Sequence, residues 1–416
     1  MNKKIKKSLA VLMSIAMLMS AFAPNIFAAI DASLLWEDTV VTAEREYKLV
    51  SGVIQKDIVL NSTSGDSQNN CFVLEVDLNN PDVSIVAGYN DGDADGWGRI
   101  PVRDQAYALE ETRDVNVIAA INGDFHNTST GEPAGILVMN GVLGHKPNAR
   151  PFFAILKDGT AAIMDAGSSL DNVQEAIGGG HILVRDGKNV APNDKLQPRT
   201  AIGIKADGSV VMFIVDGRQA PSSRGMNYPE LAAAMIALGC VEALELDGGG
   251  SSTLLAQREA SSDLECRNSP SYGYERKVAT SLAVCTTAKP TGIFDHIAFS
   301  ETTYMCAPYS SVRISTKGVD VNGYEAALPS GGSLKLRDTS YGSFNGSSFR
   351  SNGKVGTTII DYVLDGEVIA SAMIEITEEA DNIFESLVKQ MVQFITNIFN
   401  MFNLLIEKLF PQAIVK

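Results

Sequence analysis

Cysteine is scarce in this chain of 416 residues, which holds five, at positions 71, 240, 266, 285 and 306. None stands in a Cys-x-x-Cys pair, and five scattered thiols are too few for a disulfide scaffold at this length. Cys240 and Cys285 lie inside apolar runs, where a small buried thiol is the expected role. One disulfide stays open, with an odd cysteine left over. Basic residues are also in deficit: 34 Lys and Arg face 49 Asp and Glu, a net charge of −15. Contact with phosphate backbones needs concentrated positive charge, so nucleic acid is excluded as a partner. With 45% hydrophobic and 20% charged residues, 36 Gly and 15 Pro, the composition fits two or three ordered globular domains and excludes collagen-like or broadly disordered classes.

The chain reads as four zones. Residues 1–28 have the form of a secretory signal peptide: Lys3, Lys4, Lys6 and Lys7, then an apolar stretch, then small residues at Ala28 and Ala29. Its removal takes away four bases and no acid, leaving 30 basic residues against 49 acidic, a net of −19. The expected location is therefore extracellular, with no lipid-attachment Cys and no wall-sorting motif to fix it there.

Residues 29–290 read as a mixed α/β unit, with strand-like runs at 71–78, 115–121 and 210–215. A helix is signalled where Asn227 and Pro229 precede an apolar run closed by Gly239. Four Asp-Gly pairs, at 158, 186, 207 and 365, stand between β-like runs as two-residue hairpin turns should. Residues 291–377 have short strands with Gly and Ser punctuation, the pattern of a small antiparallel β-sandwich of immunoglobulin-like type.

Residues 378–416 read as an amphipathic helix, with Ile383, Leu387, Met391, Phe394, Ile398, Phe402, Leu405 and Leu409 at helical spacing and Pro411 after them. Polar residues recur too often there for a membrane span. Such a stripe buries itself on the chain's own domains, on a membrane or cell-wall surface, or against a partner helix.

The chemistry concentrates in a few stretches. An apolar strand at 241–246 delivers Asp247, followed by Gly248, Gly249, Gly250, Ser251, Ser252 and Thr253. Successive glycines leave backbone N–H groups free to converge on an anion, and the hydroxyls add donors. The Gly-Lys-Ser/Thr ending of a nucleotide P-loop is missing. The plain alternative is a tight turn capped by Asp247. A second strand ends in Asp216-Gly217-Arg218, and Arg199 and Thr200 precede a third. The strand at 115–121 runs into Asn122, Asp124 and His126, the last one of four histidines and a candidate acid or base.

Six motifs occur in order: Asn122-Gly123-Asp124-Phe125, Pro198-Arg199-Thr200-Ala201-Ile202-Gly203, Val215-Asp216-Gly217-Arg218, the run from Arg224 to Ala232, the run from Leu246 to Thr253, and Asn268-Ser269-Pro270 with Glu275-Arg276. Together they resemble the phosphodiester glycosidase family. The resemblance implies an α+β fold around a mixed sheet and removal of a sugar joined through its anomeric carbon to a phosphodiester. It further implies a glycan or sugar-phosphodiester partner and a hydrolase of cell-wall or exopolysaccharide carbohydrate; no cofactor is expected. Relatives commonly carry two aromatics where this chain has Phe125-His126, a change that alters the sugar pocket or adds a proton donor.

Cleaving the C–O bond calls for carboxylates to stabilise an oxocarbenium-like centre and activate water. Asp247 and Asp124 fit those roles, with Asp216 third. Arg199 and Arg218 would hold phosphate together with Gly248 to Ser252, while Asn122, His126, Thr200 and Arg276 complete the substrate-binding set. A non-catalytic glycan- or wall-binding protein that kept the fold is the rival reading. A third is phosphoryl transfer with P–O cleavage. Asp91, Asp93 and Asp95 open like a calcium loop, yet the twelfth position is Val102 and not Glu, which excludes an EF-hand and leaves a looser calcium site or a plain acidic loop.

Overall fold

The computed structural model describes residues 29–89, 97–145 and 150–378. The expected signal segment, the loop holding Asp91, Asp93 and Asp95, and the C-terminal helix lie outside the described residues. Two compact units are present: the chain through Thr291 together with Val321–Glu325, and Gly292–Asp320 together with the chain from Ala326.

In the first unit the largest sheet has eight strands in the order Thr39–Val50, Val53–Ser62, Gln68–Val76, Val210–Val215, Arg199–Lys205, Cys240–Leu246, Ile182–Arg185 and Lys188–Asn189. A five-stranded sheet orders Leu264–Cys266, Leu254–Gln257, Asn116–Asn122, Thr280–Thr286 and Val83–Tyr89. Another five-stranded sheet centres on Val173–Gly178. The main core lies among the three: Met212, Ile214, Ile202 and Leu246 from the first, Ile121, Leu254 and Leu282 from the second, Phe153 and Ile177 from the third.

Each of the two site-bearing sheets has a helix on its other face. Leu231, Ala234 and Met235 of the helix Tyr228–Ala237 pack on Val211, Phe213 and Ala243. Val102, Ala106 and Leu109 of the helix Val102–Arg113 pack on Val117, Ala120 and Ala283. The helix after Asn227 starts where expected because a reciprocal cap forms: Glu230 donates its amide to Asn227 Oδ1 at 2.9 Å, and Asn227 donates its amide to Glu230 Oε2 at 3.2 Å.

Pairing corrects the expectation of a mixed sheet with helices. All strand pairs within the three sheets are antiparallel, and among the described residues these two are the only α-helices. The misreading has a physical cause. Val210, Met212 and Ile214 face the core while Val211, Phe213 and Val215 face a helix, so the strand is apolar throughout and loses the alternation that usually marks an antiparallel strand.

The Asp-Gly pairs also divide. Asp186-Gly187 and Asp365-Gly366 are two-residue hairpin loops with positive φ at both positions (51° and 70°, 50° and 86°), whereas those at 158 and 207 sit in four-residue connections.

Among the described residues the second unit has strands and no α-helix. A four-stranded sheet of Thr303–Cys306, Glu367–Ile376, Gly356–Leu364 and Ser333–Leu336 shares a core of Tyr304, Ile314, Phe349, Ile360 and Ile374 with the strands around it. All five cysteines are free.

Candidate active site

One connection creates the site. After Leu246 the chain leaves the eight-stranded sheet, and at Leu254 it enters the five-stranded one, so Asp247–Thr253 spans the common end of both. There it meets the end of Asn116–Asn122: Asp247 donates its amide to the Gly123 carbonyl at 3.0 Å. Asn122 locks the junction. Its Nδ2 donates to the Asp247 carbonyl at 2.6 Å, and its Oδ1 accepts from Thr200 Oγ1 and the Thr253 amide, both at 3.0 Å. Gly123 leaves no room for a side chain, since a Cβ would stand 2.6 Å from Thr280 Oγ1.

Asp124 follows with its side chain wholly buried. Oδ2 accepts from the Gly135 amide at 2.5 Å; Oδ1 is buried without a hydrogen-bond partner, with Arg150 Nη1 at 3.9 Å. Burial pushes the carboxyl up to about 7, against the pull of the Gly135 amide and the Arg150 charge and with a push from Asp247. Asp247 itself is raised to about 6 by burial, against the pull of the Ser251 hydroxyl and Arg276. Ser251 Oγ is buried and makes no closed hydrogen bond.

His126 places Nδ1 at 3.7 Å from Asp247 Oδ2, and neither ring nitrogen has a hydrogen-bond partner. Burial, then the charges of Arg276 and Arg99, lowers its pKa to about 4. At neutral pH this is an uncharged imidazole beside a carboxylate and not an ion pair, so the residue carries no spare proton. Buried polar atoms are rarely left unpaired without reason. Here Asp124 Oδ1 and both His126 nitrogens close no hydrogen bond, and His126 and Ser251 both lie beside Asp247.

The glycine turn is a narrower anion cradle than expected. Gly249 donates its amide to Pro198 O, Ser251 to Gly248 O, Ser252 to Gly249 O and Thr253 to Asn122. The Gly248 and Gly250 amides take no part in these bonds. Arg218 supplies charge: exposed, and anchored through Nε to Gln197 Oε1 at 2.7 Å, it lays its guanidinium over Gly249, Nη2 standing 3.2 Å from where a Cβ would be. Gly249 has φ +63°, which favours glycine a second time.

Several expected contacts belong to the support and not to the cavity. The Arg199 guanidinium turns to Asp194 Oδ2 at 2.5 Å, Lys195 O at 2.6 Å, Met226 O at 3.0 Å and Glu245 Oε1 at 3.5 Å, over the Tyr228 ring, so that Nε and Nη2 are already engaged within the fold. Thr200 and Ser252 bond each other at 3.2 Å in the junction under Asn122. Asp216, raised to about 6 by burial, accepts from Asn268 Nδ2 at 3.0 Å and from the Ser269 amide at 3.0 and 3.1 Å; it ties down the 268–269 loop.

Two residues went unnoticed in the sequence. Arg150 reaches Asp124 and lies 4.9 Å over the Phe125 ring, with no local motif to announce it. Glu245 is buried near the end of the strand that delivers Asp247, and its charge acts on Asp247. Among the described residues no three His, Cys, Asp or Glu side chains gather as metal ligands.

Residues 115–285 match the sequence model of the family described as phosphodiester glycosidase, a span that holds Asp124, Arg150, Asp247 and Arg276. That stretch is similar to a phosphodiester glycosidase domain.

Similar proteins include N-acetylglucosamine-1-phosphodiester alpha-N-acetylglucosaminidase of Mus musculus, 31% identical over 165 residues, covering 33% of this chain and 31% of the mouse protein. The SPbeta prophage-derived uncharacterized protein YomE of Bacillus subtilis (strain 168) is 29% identical over 174 residues, covering 38% of this chain and 26% of YomE. The chain thus aligns with about a quarter to a third of these relatives' length. Among solved structures, the zebrafish N-acetylglucosamine-1-phosphodiester alpha-N-acetylglucosaminidase catalytic domain auto-inhibited by its pro-peptide has a TM-score of 0.46 at 21% identity, covering 61% of this chain and 89% of that one.

Proposed function

We propose that this chain hydrolyses the bond between a sugar's anomeric carbon and a phosphodiester on a cell-envelope or extracellular glycan. The observation that carries the reading is the gathering of two buried carboxylates, both raised by burial, with the His126 imidazole 3.7 Å from Asp247, beside Arg150, Arg276 and Arg218. One carboxylate then serves as the base and the other as the acid.

Asp247, at about 6, is mostly ionised at neutral pH and takes the proton of the attacking water while its charge stabilises the oxocarbenium-like carbon. Asp124, at about 7, keeps a proton on about half the molecules and donates to the departing phosphate oxygen. The carbon–oxygen bond breaks with its electron pair going to phosphate. Arg218, the Gly248 and Gly250 amides and Ser251 Oγ receive the anion. His126 offers ring nitrogens to sugar hydroxyls.

The apolar segment after the N-terminal lysines supports secretion. The second unit, read as immunoglobulin-like, and the C-terminal amphipathic segment would hold the enzyme near the envelope. The test is a panel of sugar-1-phosphodiesters run in ¹⁸O-labelled water with the full chain. Free sugar carrying the label supports the proposal. Label in the phosphate means P–O cleavage, and glycan binding without turnover across the panel means a binding protein.

A further inference from the structure

Two of the most exposed aromatic side chains of the first unit stand together at the rim of the glycine turn. Tyr272 and Tyr274 are 54% and 66% exposed, and their rings stack with centroids 6.2 Å apart and planes 26° from parallel. Exposed aromatics usually find something to cover them, because each ring carries a large apolar surface into water.

The position of the pair is fixed by the site. Tyr272 lies flush on the turn: a Cβ at Gly250 would stand 2.1 Å from its Cε2. The third glycine is therefore the floor on which the ring rests. The loop is held from both ends. Asp216 grips Ser269, Gln219 Nε2 donates to Ser269 O at 2.7 Å, and Gly273 closes a turn onto Pro270 O at 2.8 Å. Beyond the tyrosines Glu275 pairs with Arg103 at 2.6 Å. Next comes Arg276, whose charge acts on Asp247 and His126. One loop thus gives the site a cation on its inner side and offers a two-ring apolar ledge outside.

We infer that Tyr272 and Tyr274 form a stacking subsite for a pyranose ring in the aglycone, the part of the substrate that leaves with the phosphate. The inference rests on the proposed hydrolysis for its choice of ligand. A sugar ring has an apolar face of C–H groups that lies on an aromatic ring while its hydroxyls stay in water, which suits a ledge that is half exposed. A phosphate held at Gly248 to Ser251 would place its second ester group next to Tyr272. Asp216 is then a positioning residue for the ledge.

The test uses the full chain and two diesters of the same sugar-1-phosphate, one to a methyl hexopyranoside and one to methanol. Tyr272→Ala with Tyr274→Ala should raise KM for the hexoside diester about tenfold, leaving kcat and the methyl diester within about twofold; Tyr272→Phe should behave as wild type. A uniform change on both diesters, or none on either, overturns the subsite.

The failure of hydrolysis itself is kept separate by saturation-transfer NMR of the hexoside diester on the Asp247→Asn chain. Transfer to the hexoside ring protons that disappears in the double alanine variant supports the ledge whether or not any diester is cleaved. Equal transfer in both chains overturns it.

Discussion

Two charged clusters stand near the ends of the same strands and are built of similar residues, yet they differ in what they leave undone. Around Arg199 the polar groups meet one another: Nε and Nη2 bond Asp194, Lys195 O and Met226 O, Glu245 faces Nη1, and Tyr228 bonds Glu245 and lies under the guanidinium. Around Asp124, Asp247 and His126, Asp124 Oδ1 and both ring nitrogens are buried without a closed hydrogen bond. Leaving a polar group unpaired away from water costs about 1–3 kcal/mol, so such atoms beside two carboxylates mark a place that a ligand or water completes. Composition and strand-end position do not separate structure from chemistry here. Saturation of hydrogen bonds does.

The largest expected effect tests the unmet cluster. Asp247→Asn and Asp124→Asn should each lower kcat by about 10³-fold while melting temperature stays near wild type; comparable activity in either would place the chemistry elsewhere. Arg199→Met tests the other side. It strands Asp194 and Glu245, and urea unfolding should show a loss of about 3 kcal/mol. The kcat of the folded fraction should hold within about threefold, and a collapse of kcat at intact stability would erase the distinction between the clusters.

The pH profile sharpens the first cluster. Below pH 6 Asp247 takes up a proton and ceases to be a base; above pH 7 Asp124 loses the proton it donates. The rate should peak between those values and fall about tenfold per pH unit on each side. A plateau extending to pH 9 would remove Asp124 as the donor. Smallest of all, Asp216→Ala should leave kcat within about threefold and raise KM about fivefold for diesters with a sugar aglycone, since it loosens the 268–269 loop. A loss matching that of Asp247→Asn would return Asp216 to the chemistry.

Much of the site could be read from where apolar runs end. Asp216 and Asp247 each close a buried strand, and Asp124 follows one after two residues, an arrangement an apolar strand has no reason to make without use for it. Their different fates could not be read, because they are decided by segments far along the chain. Asn268 and Ser269 return to Asp216 from more than fifty positions away, and nothing near Asp216 announces that its oxygens are occupied. The engagement of Arg199 is hidden for the same reason: its partners lie on a loop, the turn before the second helix and the neighbouring strand. Arg150 has no motif at all. The sheet type was obscured by success in packing, since strands covered on both faces lose the alternation that would reveal them as antiparallel.

The free thiols turn a scarcity into a set of clocks. Burial holds Cys240 and Cys285 up to about 12 and raises Cys71 well above the usual thiol range, so none is a nucleophile in the native protein at neutral pH. They are also distributed by layer: Cys71 and Cys240 under the Tyr228–Ala237 helix, Cys285 under the Val102–Arg113 helix, and Cys306 in the core of the second unit. Alkylation at each position proceeds only when its own layer opens. Mass spectrometry of the labelled chain would therefore time the parting of the two helices and the loosening of the second unit separately, without any engineered probe.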